Sequence, residues 1–330
     1  MREVAALADV SLKTVSRVVN GERTVDAELA RRVHEAIGML GYRRDDAASA
    51  LRRSDRVSSS IGLVFEDVAN PFLAYVHRAI EDVARARGVL TFAASADERP
   101  ELERELALAL CARRIDGLII VPAGKDHSYL ARERDAGIAL VFVDRPPAFL
   151  DADTVLSDNA EATARAVRGM GERGHRRIGF LGDRAELYTA QARLQGYRDA
   201  LSALGIAEDP ELVRANLANP ASTDAAVREL FALPDPPTAL FTGQNLITTA
   251  TVHTLRALGL HTSIAIIGFD DFELADLLDP PVSVVAQNVA ELGRIAAELL
   301  FARIDGDTTP SKRVVVPTTL IERGSGEIAP

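Results

Sequence analysis

Residues 4–42 carry apolar side chains at helical spacing, which predicts three short helices. The apolar faces would be formed by Val4, Leu7 and Ala8 in the first helix, by Val15, Val18 and Val19 in the second, and by Leu29, Val33, Ala36, Ile37 and Leu40 in the third. The three faces are complementary enough to bury one small core together. We therefore expect a compact N-terminal unit that consists only of helices.

Polar residues and glycines stand at the predicted helix ends. Ser11 can cap the start of the second helix and Asp26 the start of the third. Asn20-Gly21 and Gly41 can end these two helices. With a tight turn at Asp9-Val10-Ser11, the first two helices form a helix-turn-helix. The following segment, RRDDAASALRRSDRVSSS, predicts a helix of one to two turns from Ala47 to Arg52, which is too short to be stable alone in water, and then a Ser-rich linker.

From Ile61 onward, short β-rich runs alternate with helical segments. The runs are IGLVF, VLTFAA, GLIIV, IALVFV, RIGFLG, TALFTG, IAIIGF and VSVVAQ. Such alternation predicts parallel sheets with helices on both faces. The runs are too numerous for one comfortable sheet, and the stretch from Leu156 to Gly174 is the natural divide. We expect two doubly wound lobes with a cleft between them.

The amino-acid composition is typical of a globular protein and does not alter the predicted fold. The chain has 330 residues, 47% of them hydrophobic and 26% charged, and no Trp. The N-terminus is amphipathic and interrupted by charges, so it predicts neither a secretory signal nor a transit peptide, and we expect a cytoplasmic protein without a membrane segment. The single cysteine, Cys111, lies in an apolar run and is expected to be buried and unreactive.

Charge is distributed unevenly along the chain. The net charge is −10, but residues 1–56 carry 11 Lys and Arg against 9 Asp and Glu, while the remainder is strongly acidic. Only the N-terminal unit is therefore suited to contact phosphates.

The second predicted helix has side chains that can read DNA. Arg17 and Lys13 can donate hydrogen bonds to guanine, and Leu12 can contact a thymine methyl group. Ser11, Thr14, Ser16 and Asn20 suit phosphate or base-edge contacts. The alternative is an ordinary solvated helix face, because helix-turn-helix patterns also arise by chance.

Motifs along nearly the whole chain resemble those of the LacI/GalR family of bacterial transcription regulators. They are VSLKTVSRVVNG at 10–21, Gly41-Tyr42, Leu51-Arg52, Asn70-Pro71-Phe72, DGLI at 116–119, Asp144-Arg145, Asp158-Asn159, GHRRI at 174–178, RLQGY at 193–197, GFDD at 268–271 and RGS at 323–325. No single motif is decisive, but the ordered set is highly specific.

The resemblance implies that Leu51 is a hinge-helix wedge that enters the minor groove at the operator centre, with Arg52 beside it. An apolar wedge that unstacks base steps is physically consistent with that role. The alternative is that Leu51 only covers the effector domain. Among the departures from the family pattern, Asp9 replaces a usual turn glycine, and Asp45-Asp46 would place two carboxylates near phosphates unless they cap the hinge helix.

Topology predicts a ligand site at the cleft, because ligands of open parallel sheets bind beyond the carboxyl ends of the strands. The polar and aromatic residues that follow strands are Asn70, Phe72, Asp144, Arg145, Asn245 and Asp270. The resemblance implies effector contacts for Arg193 and Asp270, which can engage paired hydroxyls, and we add Asp158 as a candidate. The alternative is that Asp270 caps a helix and pairs with Arg193.

An enzyme is not predicted. The sequence GMGERG at 169–174 matches G-x-G-x-x-G but follows a helix and precedes a strand, the reverse of a pyrophosphate site. The six histidines show no metal-ligand spacing and no catalytic signature. A solute-binding protein without functional DNA binding shares the two-lobed architecture and remains the alternative.

The resulting prediction is an α/β protein with an N-terminal three-helix helix-turn-helix module and a two-lobed, periplasmic-binding-protein-like domain of doubly wound parallel sheets. We expect the DNA-binding domain at 1–44, the hinge helix and linker at 45–60, and the effector domain at 61–330, with one lobe at 61–157 plus 289–323 and the other at 158–288. The function implied is a transcriptional repressor without a cofactor.

The predicted partners are double-stranded DNA with a palindromic operator, a second copy of the chain and a carbohydrate effector. The chain ends without a heptad repeat, so a dimer is expected rather than a tetramer. A purine-type corepressor is the alternative effector, but position 187 is Leu where a purine-responsive relative would offer Arg.

Overall fold

The computed structural model describes residues 1–19, 25–42 and 59–330. The chain divides into two compact units, Met1–Ser58 and Ser59–Pro330. The predicted DNA contacts Asn20, Leu51 and Arg52, the hinge helix and the helix end at Asn20-Gly21 lie outside the described residues. No helix of the described ranges is both long and apolar enough to cross a lipid bilayer.

The N-terminal unit contains the three predicted helices, α1 (Arg2–Leu7), α2 (Leu12–Val19) and α3 (Ala27–Leu40). The predicted caps are confirmed. The Ser11 hydroxyl accepts a hydrogen bond from the Thr14 amide at 3.0 Å. The Asp26 carboxylate accepts bonds from two amides of the first turn of α3, and Gly41 ends that helix in the left-handed conformation.

A small apolar core joins these helices. It is formed by Val4, Ala5, Ala8, Val15, Val18, Val33 and Ala36. Leu7 and Leu40, which the periodicity places on inner faces, are instead exposed. Both lie in the last turn of a helix, and the residues that follow them, Ala8 and Tyr42, contact the core instead. The core therefore consists of alanines and valines, which lets short helices approach closely.

The second unit contains two six-stranded sheets. Its strands are β1 (Ser60–Phe65), β2 (Leu90–Ser95), β3 (Gly117–Ile120), β4 (Ala139–Val143), β5 (Asp153–Ser157), β6 (Ile178–Leu181), β7 (Val213–Arg214), β8 (Ala239–Thr242), β9 (Ala265–Phe269), β10 (Ser283–Ala286), β11 (Arg313–Val316) and β12 (Thr319–Ile321). The sheet orders are β11-β5-β4-β3-β1-β2 and β12-β10-β9-β8-β6-β7. All neighbouring strands are parallel except β10 and β12. The predicted fold class is confirmed.

Helices cover both faces of each sheet. They are α4 (Pro71–Ala86), α5 (Pro100–Ala112), α6 (Ala131–Asp135), α7 (Asn159–Glu172), α8 (Tyr188–Ala203), α9 (Pro220–Phe231), α10 (Asn245–Leu258) and α11 (Val289–Ile304). Each lobe has two apolar clusters, one on each side of its sheet. Helices α7 and α8 pack closely because residue 196 is Gly: a Cβ there would lie 2.1 Å from the Ala160 carbonyl oxygen. This contact holds Arg193 of α8 beside the start of α7.

The chain passes between the lobes three times, after β5, after β10 and between β11 and β12. The predicted boundary of the first lobe at residue 323 is wrong by one strand. Residues Thr319–Ile321 form β12, which pairs antiparallel with β10 of the second sheet. Their backbone hydrogen bonds are satisfied in the second lobe, so the crossing lies at Pro317-Thr318 and not after residue 323.

Candidate DNA interface and ligand cleft

The start of α2 presents an exposed polar surface. Leu12, Lys13 and Arg17 are exposed, while Val15 and Val18 on the opposite side are buried in the core of the N-terminal unit. Ser11 is also exposed, and Thr14 and Ser16 are partly exposed. The Ser11 and Thr14 hydroxyls are 2.9 Å apart, so they form part of the helix cap. The arrangement leaves two basic side chains one turn apart on the outer face.

The turn before α2 requires an unusual backbone conformation. Asp9 has φ +48°, in the left-handed region that glycine adopts without strain and that Asp tolerates better than most residues. The turn is held from α3, because Arg32 donates hydrogen bonds to the carbonyl oxygens of Ala8 at 2.5 Å and Asp9 at 3.1 Å. Asp9, which replaces the usual turn glycine, therefore lies at a position whose backbone conformation a glycine would adopt without strain.

The cleft lies between the lobes, beyond the carboxyl ends of the strands, and six of the eight candidate residues line it. They are Asn70, Phe72, Asp144, Arg145, Arg193 and Asp270. The cavity among these residues has a volume of about 30 Å³, which is the space of about one water molecule. A sugar-sized ligand can enter only if the lobes separate or the lining side chains move.

Arg145 is buried in the wall of the first lobe and bound by carboxylates. Its guanidinium donates to the two Glu98 carboxylate oxygens at 2.6 and 2.8 Å and to the Pro122 carbonyl oxygen at 3.0 Å. Glu66 lies 3.4 Å away and Asp144 3.5 Å away. Burial, together with the charge of Glu98, raises the pKa of Glu66 to about 8. The positive charge of Arg145 is therefore already balanced by carboxylates of the protein, without a ligand.

Arg193 and Asp270 form the wall of the second lobe. Arg193 donates to the Asn159 side-chain oxygen at 2.7 Å and to the Gly243 carbonyl at 2.6 Å, and its guanidinium lies 3.7 Å from the centre of the Phe269 ring. Asp270 is 4.0 Å from Arg193. Burial raises the pKa of the Asp270 carboxyl. The two side chains are fixed by the protein and can present a donor and an acceptor to adjacent hydroxyls.

Asn245 does not line the cavity but contacts a residue that does. Its Nδ2 donates to Asn70 Oδ1 at 3.1 Å, and the same Asn70 oxygen accepts from the Phe72 amide and caps α4. Because α10 and α4 belong to different lobes, this hydrogen bond connects the two lobes beside the cavity.

Asp158 is placed away from the cavity, so the structure does not support its prediction as an effector contact. One carboxylate oxygen accepts from the Thr318 amide at 2.8 Å, and the other accepts from Arg165 at 3.0 Å. Thr318 lies at the crossing between β11 and β12, and Arg165 of α7 also donates to the Thr318 hydroxyl at 3.2 Å. The carboxylate is used to hold two crossing segments together, which explains why it turns from the cleft.

Sequence reasoning missed several residues of the cavity: Glu66, Asp183, Thr189, Gln244 and Gln287. Glu66 and Asp183 directly follow predicted strands, and Gln287 ends one, so the strand-end rule would have found them if applied to every run. Gln287 connects the lobes, since it donates to Asp270 at 2.7 Å and accepts a short hydrogen bond from Ser157 of β5.

Comparison with known proteins agrees with this organisation. Residues 1–45 match the model of bacterial regulatory proteins of the lacI family, and residues 167–326 match that of a periplasmic binding protein-like domain. The ribose operon repressor of Haemophilus influenzae is 30% identical over 98% of both chains.

Two solved structures extend the likeness. A complex of the transcriptional regulator CelR with cellobiose is 33% identical, with a TM-score of 0.72 and coverage of 98% of both chains. The lac repressor dimer bound to operator has a TM-score of 0.85 over 98% of this chain and 97% of that chain at 22% identity, a likeness of fold. The predicted family and the predicted class of function are confirmed. The chain belongs to the lacI family of bacterial regulatory proteins and is a DNA-binding transcriptional repressor with an effector-binding domain.

Proposed function

We propose that the chain binds a palindromic operator as a homodimer and that a carbohydrate in the cleft controls this binding. The observation that carries the DNA part is the exposed start of α2, where Lys13 and Arg17 lie one turn apart on a three-helix unit with its own core. A helix presented in this way can enter the major groove, with its first turns at the base edges. Ser11, Leu12, Thr14, Ser16 and Asn20 would supply the other contacts.

The minor-groove contact is assigned to Leu51 and Arg52 by the family resemblance alone. The dimer is supported by the fold likeness to the lac repressor, which was solved as a dimer on its operator. Two copies would place two recognition helices on the two halves of a palindrome. A regulator of this kind acts on chromosomal DNA, so we place it in the cytoplasm and assign it no enzymatic activity.

The carbohydrate part rests on the pair Arg193 and Asp270. A fixed guanidinium and a carboxylate 4.0 Å apart match a pair of neighbouring hydroxyls, one accepting and one donating. Phe72, Arg145 and Asn70 complete the wall. Two similar proteins are named for sugars, the ribose operon repressor and CelR in its cellobiose complex. A purine-type corepressor is disfavoured at Leu187, whose apolar side chain is buried and offers no donor.

Selection of bound fragments from a random duplex pool, at near-physiological salt, tests the DNA part. We expect enrichment of a palindrome with a flexible central step, because specificity over competing DNA separates a regulator from a protein with a basic patch. The recovered operator then serves as the probe for a titration with sugars. A pool that shows no enrichment would favour the alternative, a solute-binding chain without functional DNA binding.

A further inference from the structure

Negative charge exceeds positive charge around the cleft. On the wall of the first lobe, one guanidinium, that of Arg145, is shared by the three carboxylates of Glu98, Glu66 and Asp144 at 2.6, 3.4 and 3.5 Å. One cation can neutralise only one of them. The bidentate bonds identify Glu98 as the partner that it neutralises.

The second lobe adds to the imbalance. Its guanidinium, Arg193, is offset by Asp270 at 4.0 Å. Asp183 also lines the cavity, and burial together with the charge of Glu98 raises the pKa of its carboxyl. Among the described residues, the carboxylates of Asp144 and Asp183 therefore line the cavity without a cation of their own, while Glu66, whose pKa is about 8, is largely protonated at neutral pH.

Asp144 provides an independent sign of a missing donor. It is 5% exposed, lines the same cavity, and its Oδ1 accepts no hydrogen bond from any described residue. Leaving a buried carboxylate oxygen unpaired is costly, and native proteins pair such atoms. A ligand donor at this oxygen would remove that cost.

The missing group must be both a donor and a cation. Sugar hydroxyls can donate to carboxylates but cannot offset the excess charge in a site of low dielectric constant. A metal ion does not fit, because no three His, Cys, Asp or Glu residues of the described ranges are grouped to hold one. An ammonium group donates up to three hydrogen bonds and carries the required charge.

We propose, on the basis of the effector role proposed above, that the effector carries a protonated amine, as an amino sugar does, that binds beside Asp144 and Asp183 with the Glu66 carboxyl as a neighbouring acceptor. The hydroxyls of the same ligand face Arg193 and Asp270. Glu66 and Asp183, which the sequence analysis did not single out, thereby contribute to recognition of the amine.

This assignment also explains how a ligand could drive closure. Asp144 belongs to the first lobe and Asp183 to the second, so the repulsion between these two carboxylates is strongest when the lobes are closed. A cation between them reverses that effect and binds the closed form more tightly than the open form. Such a difference in affinity is what a ligand needs to shift a two-state equilibrium.

Calorimetric titration of the full-length chain at pH 7 tests the proposal. The probes are D-glucosamine, D-galactosamine and D-mannosamine, each with its neutral parent hexose and its N-acetyl derivative. We expect at least one amine to bind at least about tenfold more tightly than both of its uncharged counterparts.

Asp183→Asn should abolish that preference while the affinity for the neutral parent changes less than about threefold. The substitution keeps an oxygen for the Arg184 amide, which now donates to Asp183 at 2.7 Å. Glu105→Gln on the exposed surface of α5 makes the same change of net charge and should leave the preference intact.

The outcomes separate this inference from the proposed function. Equal or tighter binding of a neutral hexose would overturn the amine and leave a carbohydrate effector standing, as would an unchanged amine preference in Asp183→Asn. If no sugar of either class binds, while the chain still binds its operator, the carbohydrate effector and the amine both fail.

Discussion

The Nδ2 atom of Asn245 donates a hydrogen bond to Oδ1 of Asn70 at 3.1 Å, and this bond connects the first turn of α10 in one lobe to the cap of α4 in the other. Both residues were expected to bind the effector. Their contact shows a second use, as a latch of the closed cleft, that does not conflict with the first: opening would release both amides to a ligand.

The same substitution, Asn to Asp, is expected to have different effects at Asn70 and at Asn245, the two residues of this hydrogen bond. Asn70→Asp keeps an acceptor for Asn245 and for the Phe72 amide. Asn245→Asp loses the donor and places two oxygens face to face. We expect only Asn245→Asp to raise the radius of gyration in solution scattering, with a stability loss of about 0.5–1.5 kcal/mol. An equal response of both variants would show that the bond does not hold the lobes together.

Asp270 predicts a separation of ligand response from DNA binding. Asp270→Asn retains an oxygen for Gln287, which donates to Asp270 at 2.7 Å, but removes the charge opposite Arg193. We expect the effector affinity to fall about tenfold to a hundredfold with operator affinity unchanged. The measurement is a dose response on operator-bound protein. Asp271→Asn, next along the chain and paired with Arg323, is the control that should respond as the native chain does.

Arg17 predicts a specific loss of DNA reading. Arg17→Ala should weaken binding to the selected operator by about 1–3 kcal/mol and relax the sequence preference at one base pair. Arg31→Ala is the matched control, because Arg31 is exposed on α3 of the same unit and pairs with Glu28 and Glu35. Electrophoretic mobility shifts on operator and on random DNA distinguish the two. Equal losses of affinity for the operator and for random DNA would show that Arg17 contacts a phosphate and does not read a base.

Asp9 predicts that the helix-turn-helix can be stabilised. Its φ of +48° costs an ordinary residue about 1–2 kcal/mol and Gly almost nothing. Its ion pair with Arg32, at 3.5 Å on an almost fully exposed side chain, contributes little. We expect Asp9→Gly to slow hydrogen exchange of the α1 and α2 amides in the full chain and Asp9→Ala to accelerate it. Acceleration by Asp9→Gly would contradict the strain argument.

The sequence was sufficient for the parts of the fold that rest on local pattern and insufficient where a distant partner decides. The long apolar runs and the caps at Ser11, Asp26 and Gly41 needed no partner. Strand β5 is not predicted because it begins with Asp153, whose buried carboxylate is stabilised by donors from distant segments: Arg303 of α11 at 2.7 and 2.8 Å and the Lys312 amide at 2.7 Å.

The same limit applies to the cleft. The strand-end rule located the correct edge of both sheets, and with it Arg145 and Asp270. It could not tell that Asp158, which also follows a strand, turns toward Thr318 at a crossing between lobes. The rule also could not show that Glu98, which lies far along the chain from the predicted site residues, would accept two hydrogen bonds from the Arg145 guanidinium. Which side chain faces the cavity depends on tertiary contacts that have no local signature.

Glu66 predicts a pH dependence of stability. Its folded pKa of about 8 lies above the ordinary value of 4.5, so the folded chain favours the protonated carboxyl. That contribution is complete below the ordinary pKa and is lost as the pH rises through about 8. Between pH 5 and 8.5 the free energy of unfolding of the native chain should therefore fall by on the order of 1–3 kcal/mol more than that of Glu66→Gln. The Gln side chain resembles the protonated Glu at every pH.

Urea unfolding of the effector domain in the full-length chain, followed across that pH range, measures the difference. Glu105→Gln should follow the native profile, because the side chain is exposed on α5. Asp183 lies close enough for its charge to raise the pKa of Glu66. Asp183→Asn should therefore shift the loss of stability to lower pH without removing it. Parallel profiles for native and Glu66→Gln chains would mean that Glu66 is ionised in the folded protein throughout the range, and that Arg145 neutralises it as well as Glu98.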